Sequence, residues 1–274
     1  MPLGEMDHMP DSVASDVLRH GAYVCLQVPV EARAALAALP VDALASSLGL
    51  AGEFSTAGGH PEQAIAFLKR DSATSAQIVD DALIGAQAIV HVAAPHADMV
   101  STFCVALQGL LGVRVTPYVL RGGVRPTRYT GGEMQSFAYA HQATQVSGSR
   151  MPHAILLPLK KTPEWWAKDW MERHTYFLPR FDEAGHRTSL GHPLAAEAGI
   201  APLVRRNYRV DPDSAAAATY DFITYFECAD GDVATFDAVC AMLRDTGKNP
   251  EWQYVREGPT WRGTRVATWR EMLA

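Results

Sequence analysis

Long apolar runs are missing from this chain of 274 residues, and none reaches the roughly 18 residues that a membrane-spanning helix needs. Cysteine is sparse. The four, Cys25, Cys104, Cys228 and Cys240, form no C-x-x-C pair, and each sits in an apolar run, which reads as buried reduced thiols rather than a zinc or disulfide framework. A basic surplus is also absent. The net charge is -6 and no Lys/Arg stripe or basic amphipathic helix stands out, which argues against nucleic-acid and membrane-surface partners. The first twenty residues carry Asp7, Asp11 and Asp16 and no continuous apolar segment, so the reading expects no export signal and a cytoplasmic protein. What remains is an ordinary globular mixture, 48% hydrophobic and 20% charged, long enough to bury most of its surface without staples.

The order of elements repeats. A β-branched and aromatic strand at Ala22 to Val30 leads into an Ala/Leu-rich helix, Ala32 to Leu48. Strands follow at Ala64 to Lys69 and Ile84 to Ala94, then a helix at Asp98 to Leu111 and a strand at Val113 to Leu120. The helix places Met99, Val100, Phe103, Cys104, Leu107, Leu110 and Leu111 on one stripe. The second series opens with a strand at Ala154, then a helix started by Thr162, Pro163 and Glu164: a hydroxyl cap, a proline in the first turn and a carboxylate facing the helix dipole. Strands at Leu203 to Val210 and Tyr220 to Glu227 follow, then a helix marked by Val233, Phe236, Val239, Cys240 and Leu243, and a last strand at Trp252 to Arg256. Matching strands at 22 and 154 lie 132 residues apart, and matching helices at 98 and 233 lie 135 apart. Each series is strand–helix–strand–strand–helix–strand, so the expected fold is α+β with two ferredoxin-like halves, a duplicated βαββαβ. The halves are expected at 1–120 and 153–274. The connection between them, 121–152, is rich in Gly, Ser, Thr and Arg and is either a solvated crossover or a functional segment whose Arg121, Arg125, Arg128 and Arg150 meet ligand carboxylates.

Three stretches of the second half resemble the chlorite dismutase family of haem b proteins, whose halves form a dimeric α/β-barrel type of fold. They are Leu157 to Trp166 (LPLKKTPEWW), Leu203 to Tyr208 (LVRRNY) and Asp221 to Glu227 (DFITYFE). The resemblance implies heme b as cofactor, an iron-ligating histidine and, thirteen residues later, an arginine over the opposite haem face. His192 and Arg205 have that spacing. A neutral imidazole suits iron because its second N–H can be oriented by a further residue, and a permanently charged guanidinium can hold a small oxyanion. His186 and, more weakly, His174 compete for the ligand role. Arg206 should face the other side of its strand. The resemblance sets Thr224 and Phe226 along the pocket, Trp165 and Trp166 near the haem, and Arg128 and Tyr129 at its propionates.

The chain departs from the family pattern in two places. Asp211 to Tyr220 replaces a Gly-Leu-Asp-Asp turn, and Lys248 stands where a glutamate accepts the proximal histidine's N–H, unless Glu251 substitutes. The activity implied is conversion of chlorite to chloride and dioxygen, with Arg205 retaining hypochlorite until the O–O bond forms, or attack on another small oxidant. Coproheme decarboxylation is the alternative, with Tyr129 or Tyr208 near a propionate; a non-catalytic haem-binding module is the third. As partners the resemblance implies a small oxidant or oxyanion and further copies of the chain, as a dimer or a ring of five.

Overall fold

A computed structural model describes residues 20–50, 64–71, 82–123, 151–199 and 202–274. The first half runs β1 (His20–Leu26), α1 (Arg33–Ala37), α2 (Val41–Ser47), β2 (Ala64–Arg70), β3 (Ala88–Ala94), α3 (Ala97–Leu111) and β4 (Tyr118–Gly123). The second runs β5 (His153–Lys161), α4 (Pro163–Ala167), α5 (Trp170–Thr175), β6 (Arg180–Phe181), β7 (Arg187–Ser189), α6 (Gly191–Ala195), β8 (Val204–Val210), β9 (Phe222–Cys228), α7 (Val233–Arg244), β10 (Val255–Glu257), β11 (Trp261–Val266) and α8 (Trp269–Leu273).

Strand pairing reproduces the ferredoxin-like order in each half, β2-β3-β1-β4 and β11-β5-β9-β8. The β4–β8 and β11–β2 pairings join the halves, and the additional β5–β9 pairing closes eight strands into a barrel, every pair antiparallel. The short β10 adds to the free part of β5 beyond β11.

Alternation sends one set of side chains into the barrel and the other outward. The inner set includes Tyr23, Leu68, Leu156, Tyr208, Ile223, Tyr225 and Trp261. Outside the first half, α1 to α3 and α8 pack onto Ala22, Val24, Leu26, Val90 and Val92 in one large core cluster. β3 is therefore buried on both faces, so it shows no hydrophobic alternation. Outside the second half the covering cluster is small, comprising Ile155, Leu203, Cys228, Phe236 and Cys240, and a cavity remains beside it.

Several boundaries differ from those read off the sequence. The helix expected from Ala32 to Leu48 is broken into α1 and α2 at Pro40, which has no N–H to continue it and restricts Leu39 before it. Residues 82–85 form a turn, so β3 starts at Ala88, and β4 starts only after Pro117. Trp252 to Arg256 is mostly a 3₁₀ turn (Pro250–Tyr254) rather than the closing strand. The last strand of the second half is β11, whose Arg262, Thr264 and Arg265 hid it from a hydrophobic reading. Gly263 is required there, because a Cβ would collide with the Trp261 ring and the Lys69 carbonyl.

Candidate functional site

The cavity outside the second half has a volume of about 710 Å³ with its open mouth included. Its floor is the outward face of three paired strands. In the β8–β9 register Arg205 lies opposite Phe226 and Asn207 opposite Thr224, while β5 sets Leu157 opposite Thr224. Period-2 alternation therefore places Arg205, Thr224, Phe226, Leu157 and Leu159 in the same cavity, and all five line it. The same alternation turns Arg206 and Tyr208 inward, where both are buried. Thr224 donates its hydroxyl to Asn207 Oδ1 at 3.3 Å.

The helical wall brings His192 to the cavity, along with Val239, Cys240 and Leu243 of α7. His192 sits in the first turn of α6, just after Gly191, whose φ is +70°. No other residue suits that position: the conformation favours glycine, and a Cβ would run into the Phe177 carbonyl and the Leu178 backbone. The Leu190 and Gly191 amides donate to the Lys248 carbonyl at 2.8 and 3.2 Å, which anchors the turn. Phe177 and Trp252 flank the imidazole, with ring centroids 5.8 and 6.5 Å away.

A buried carboxylate fixes the ring. His192 Nδ1 lies 2.8 Å from Glu251 Oε2, and Glu251 Oε1 accepts from Lys161 Nζ. Their side chains are 5% exposed for Glu251 and 8% for Lys161, so the pair is dry. Burial alone would raise the Glu251 carboxyl, but the charges of Lys161 and His192 and their hydrogen bonds outweigh it and hold the group at about 2. Burial lowers the Lys161 ammonium, and Glu251 opposes that. Lys161 also lies over the buried Trp165 ring, 4.3 Å from its centroid. With Nδ1 bound to an anion, Nδ1 carries the hydrogen and Nε2 is the nitrogen left with a lone pair for a ligand.

This corrects the sequence reading at Lys248. Its side chain is half exposed and pairs with Asp245 at 3.6 Å, while the 3₁₀ turn that follows carries Glu251 to His192. The signal for Glu251 was weak: a charged residue between Pro250 and Trp252, 59 positions from its partner. Lys161 gave no signal beyond its place in LPLKK. His186 is the other correction. It lies in the exposed turn between β6 and β7 against Asp182, 80% exposed, away from the cavity. His174, on α5, does not line the cavity either.

Of the paired tryptophans, Trp165 is core, packed with Phe177, Tyr176 and Tyr254. Trp166 stands outside the described lining; its indole donates to Asp221 Oδ2 at 3.1 Å, and the guanidinium groups of Arg173 and Arg209 lie 5.6 and 4.8 Å from its ring centroid. Tyr208 points into the barrel, on the face of β8 opposite Arg205, so it cannot serve at a propionate in this cavity. Arg128 and Tyr129 lie outside the described residues, as does most of the connecting loop.

A haem b group fits the residues present. The wall is mainly apolar, one imidazole offers an oriented nitrogen, and one guanidinium reaches the same space from the sheet. Among the described residues no cluster of three or more His, Cys, Asp or Glu could hold a bare metal ion, and no helix is long and apolar enough to cross a membrane.

No protein-family model matches the chain, and no curated protein matches it by sequence. Solved structures do. Chlorite dismutase from Candidatus Nitrospira defluvii in complex with imidazole is 22% identical, with a TM-score of 0.62 and 93% of each chain covered. An arginine-to-glutamate variant of the same enzyme is 23% identical, with a TM-score of 0.63 and 93% of each chain covered. A tryptophan variant in complex with cyanide is 22% identical, with a TM-score of 0.62, covering 93% of this chain and 92% of that one. At these identities the likeness establishes the fold: the chain has a chlorite dismutase-like fold.

Proposed function

We propose that this protein is a haem-dependent oxidoreductase of the chlorite dismutase type, with His192 as iron ligand and Arg205 as the residue that handles the substrate anion. One observation carries the reading: an imidazole whose Nδ1 is held 2.8 Å from a buried carboxylate lines the same apolar cavity as an arginine from the facing sheet. Bound haem b would supply the redox centre at which chlorite is converted to chloride and dioxygen. Glu251 keeps His192 in one tautomer and one orientation and raises the basicity of Nε2; Lys161 keeps Glu251 ionised. Arg205 holds the anion, and its charge acts against a lining that Leu157, Leu159, Phe226 and Leu243 make mainly apolar. Thr224 has its hydroxyl hydrogen committed to Asn207, so it presents lone pairs to the cavity. Trp166, Arg128 and Tyr129 complete the proposed haem contacts, and the resemblance brings with it a homo-oligomer, which light scattering decides.

The test is haem uptake followed by Soret absorbance, then dioxygen release from chlorite at an oxygen electrode, with Arg205→Ala alongside. Uptake and rapid oxygen release that collapses in the variant support the whole reading. Uptake without oxygen release keeps the haem site and removes chlorite as substrate; iron coproporphyrin III with peroxide is then the next reagent. No uptake removes the proposal.

A further inference from the structure

Behind the cavity wall, inside the barrel, lies an aromatic cluster that the proposed reaction does not use. Tyr23 stacks on His91 at 4.1 Å between ring centroids, His91 meets Tyr225 edge-on at 4.7 Å, and Tyr23 is 5.6 Å from Tyr225. Tyr208 lies 6.3 Å from Tyr23 and 6.4 Å from His91. All four rings are fully buried. Tyr225 sits between Thr224 and Phe226, both of which line the cavity, so a single strand separates its ring from that space.

The three phenols differ in where a proton could go. Tyr225 donates to Glu227 Oε1 at 2.9 Å, and Glu227 Oε2 is held by Arg265 Nη1 at 2.8 Å. The Tyr23 hydroxyl has no hydrogen-bond partner among the described residues, and Tyr208 stands against Arg206, a donor that cannot accept. Burial, with Glu227 adding to it, raises the Tyr225 phenol well above its usual range, so the phenol keeps its proton until an electron leaves. Losing both together avoids a buried phenolate and a buried phenol cation.

Resting on the haem reading above, we propose that Tyr225 is a redox-active tyrosine, oxidised by one electron when haem-loaded protein meets hydrogen peroxide in the absence of a small substrate. Tyr225 gives its electron to the peroxide-oxidised cofactor. Its O–H bond breaks, and the proton moves to Glu227 Oε1. The products are a neutral tyrosyl radical and a neutral carboxylic acid, with Arg265 still charged beside it. The stacked His91 and Tyr23 rings polarise around the radical, and burial shields it from solvent reductants. The barrel interior thereby becomes a store for oxidising equivalents that would otherwise attack the cofactor pocket.

The test is electron paramagnetic resonance on haem-loaded protein frozen shortly after one equivalent of peroxide, with ring-deuterated tyrosine to identify the radical. The expected result is a tyrosine-derived signal that narrows on deuteration, is lost in Tyr225→Phe, falls in Glu227→Gln and persists in Tyr23→Phe. A Soret band of normal intensity shows that each variant has folded and loaded. An undiminished tyrosine signal in loaded Tyr225→Phe overturns the assignment, as does loaded wild-type protein with no tyrosine signal; both leave the haem reading standing. A chain that takes up no haem overturns both.

Discussion

Replacing Glu251 with glutamine removes the charge that Lys161 and His192 share, and it should cost far more than a surface change. The Lys161 and Glu251 side chains are 8% and 5% exposed, so an amide in place of the carboxylate leaves an ammonium buried without its paired counter-charge, with only the weaker influence of Asp221 remaining. Breaking a buried pair in this way typically costs about 3–5 kcal/mol. Lys161 can relieve part of that by releasing its proton, since burial already lowers it and Glu251, with a smaller contribution from Asp221, holds it up, which sets the expectation near the low end, about 3 kcal/mol. For a chain of this length that corresponds to a fall in Tm of roughly 6–12 °C. Thermal unfolding of the haem-free protein at neutral pH measures it. Adding Lys161→Met to Glu251→Gln should recover most of the loss, because the stranded ammonium is then gone. A shift of less than about 2 °C for the single variant, or a double variant worse than the single, would refute the view that a dry ion pair positions His192. In haem-loaded protein the same single variant should raise the iron reduction potential, because a neutral amide draws less on the Nδ1–H and the ring donates less.

Other residues give shorter tests. Gly191→Ala should lose about 1–3 kcal/mol in urea unfolding and weaken haem uptake, since the positive φ and the Phe177 carbonyl both oppose a Cβ beside His192. Arg205→Ala should leave the Soret band intact and lower the oxygen-release rate roughly 10²–10³-fold, the usual effect of removing one donor to a developing oxyanion. The Cys240 thiol is pushed up to about 11 by burial, which outweighs the nearby Arg244. Its alkylation by iodoacetamide, followed by peptide mass spectrometry, should keep rising with pH through 8 to 10 and run about 100-fold slower than a free thiol at pH 8. Haem should protect it further, because Cys240 lines the cavity.

What the sequence made legible follows from period and local chemistry. The 2-residue alternation on β8 and β9 placed Arg205, Thr224 and Phe226 together and turned Arg206 away, and the structure has that arrangement. The repeat of element order gave two ferredoxin-like halves, and the strand orders agree. What escaped was long-range or polar. Nothing in Trp261 to Val266 marks a strand until Lys69 and Leu156 are placed on either side of it. Glu251 could not be matched to His192 by offset, because a 3₁₀ turn after Pro250 sets its direction. The hairpin of β6 and β7 is too short for periodicity to register, which left His186 as a competitor until its exposure was known.

The closed barrel also shapes how this chain would go wrong. Among the described residues the eight strands of the ring offer an incoming peptide no unpaired edge to extend, which leaves only the three-residue β10 and the short β6–β7 hairpin as templates while the ring holds. Among the described residues the β4–β8 seam shows two residue pairs, Gly122 with Val210 and Gly123 with Arg209. Two glycines on one side of those pairs hold little side-chain surface against separation. Parting there would bare the edges of β4 and β8 at once, and a lysine or proline placed at the rim of that seam is one way to engineer resistance to aggregation.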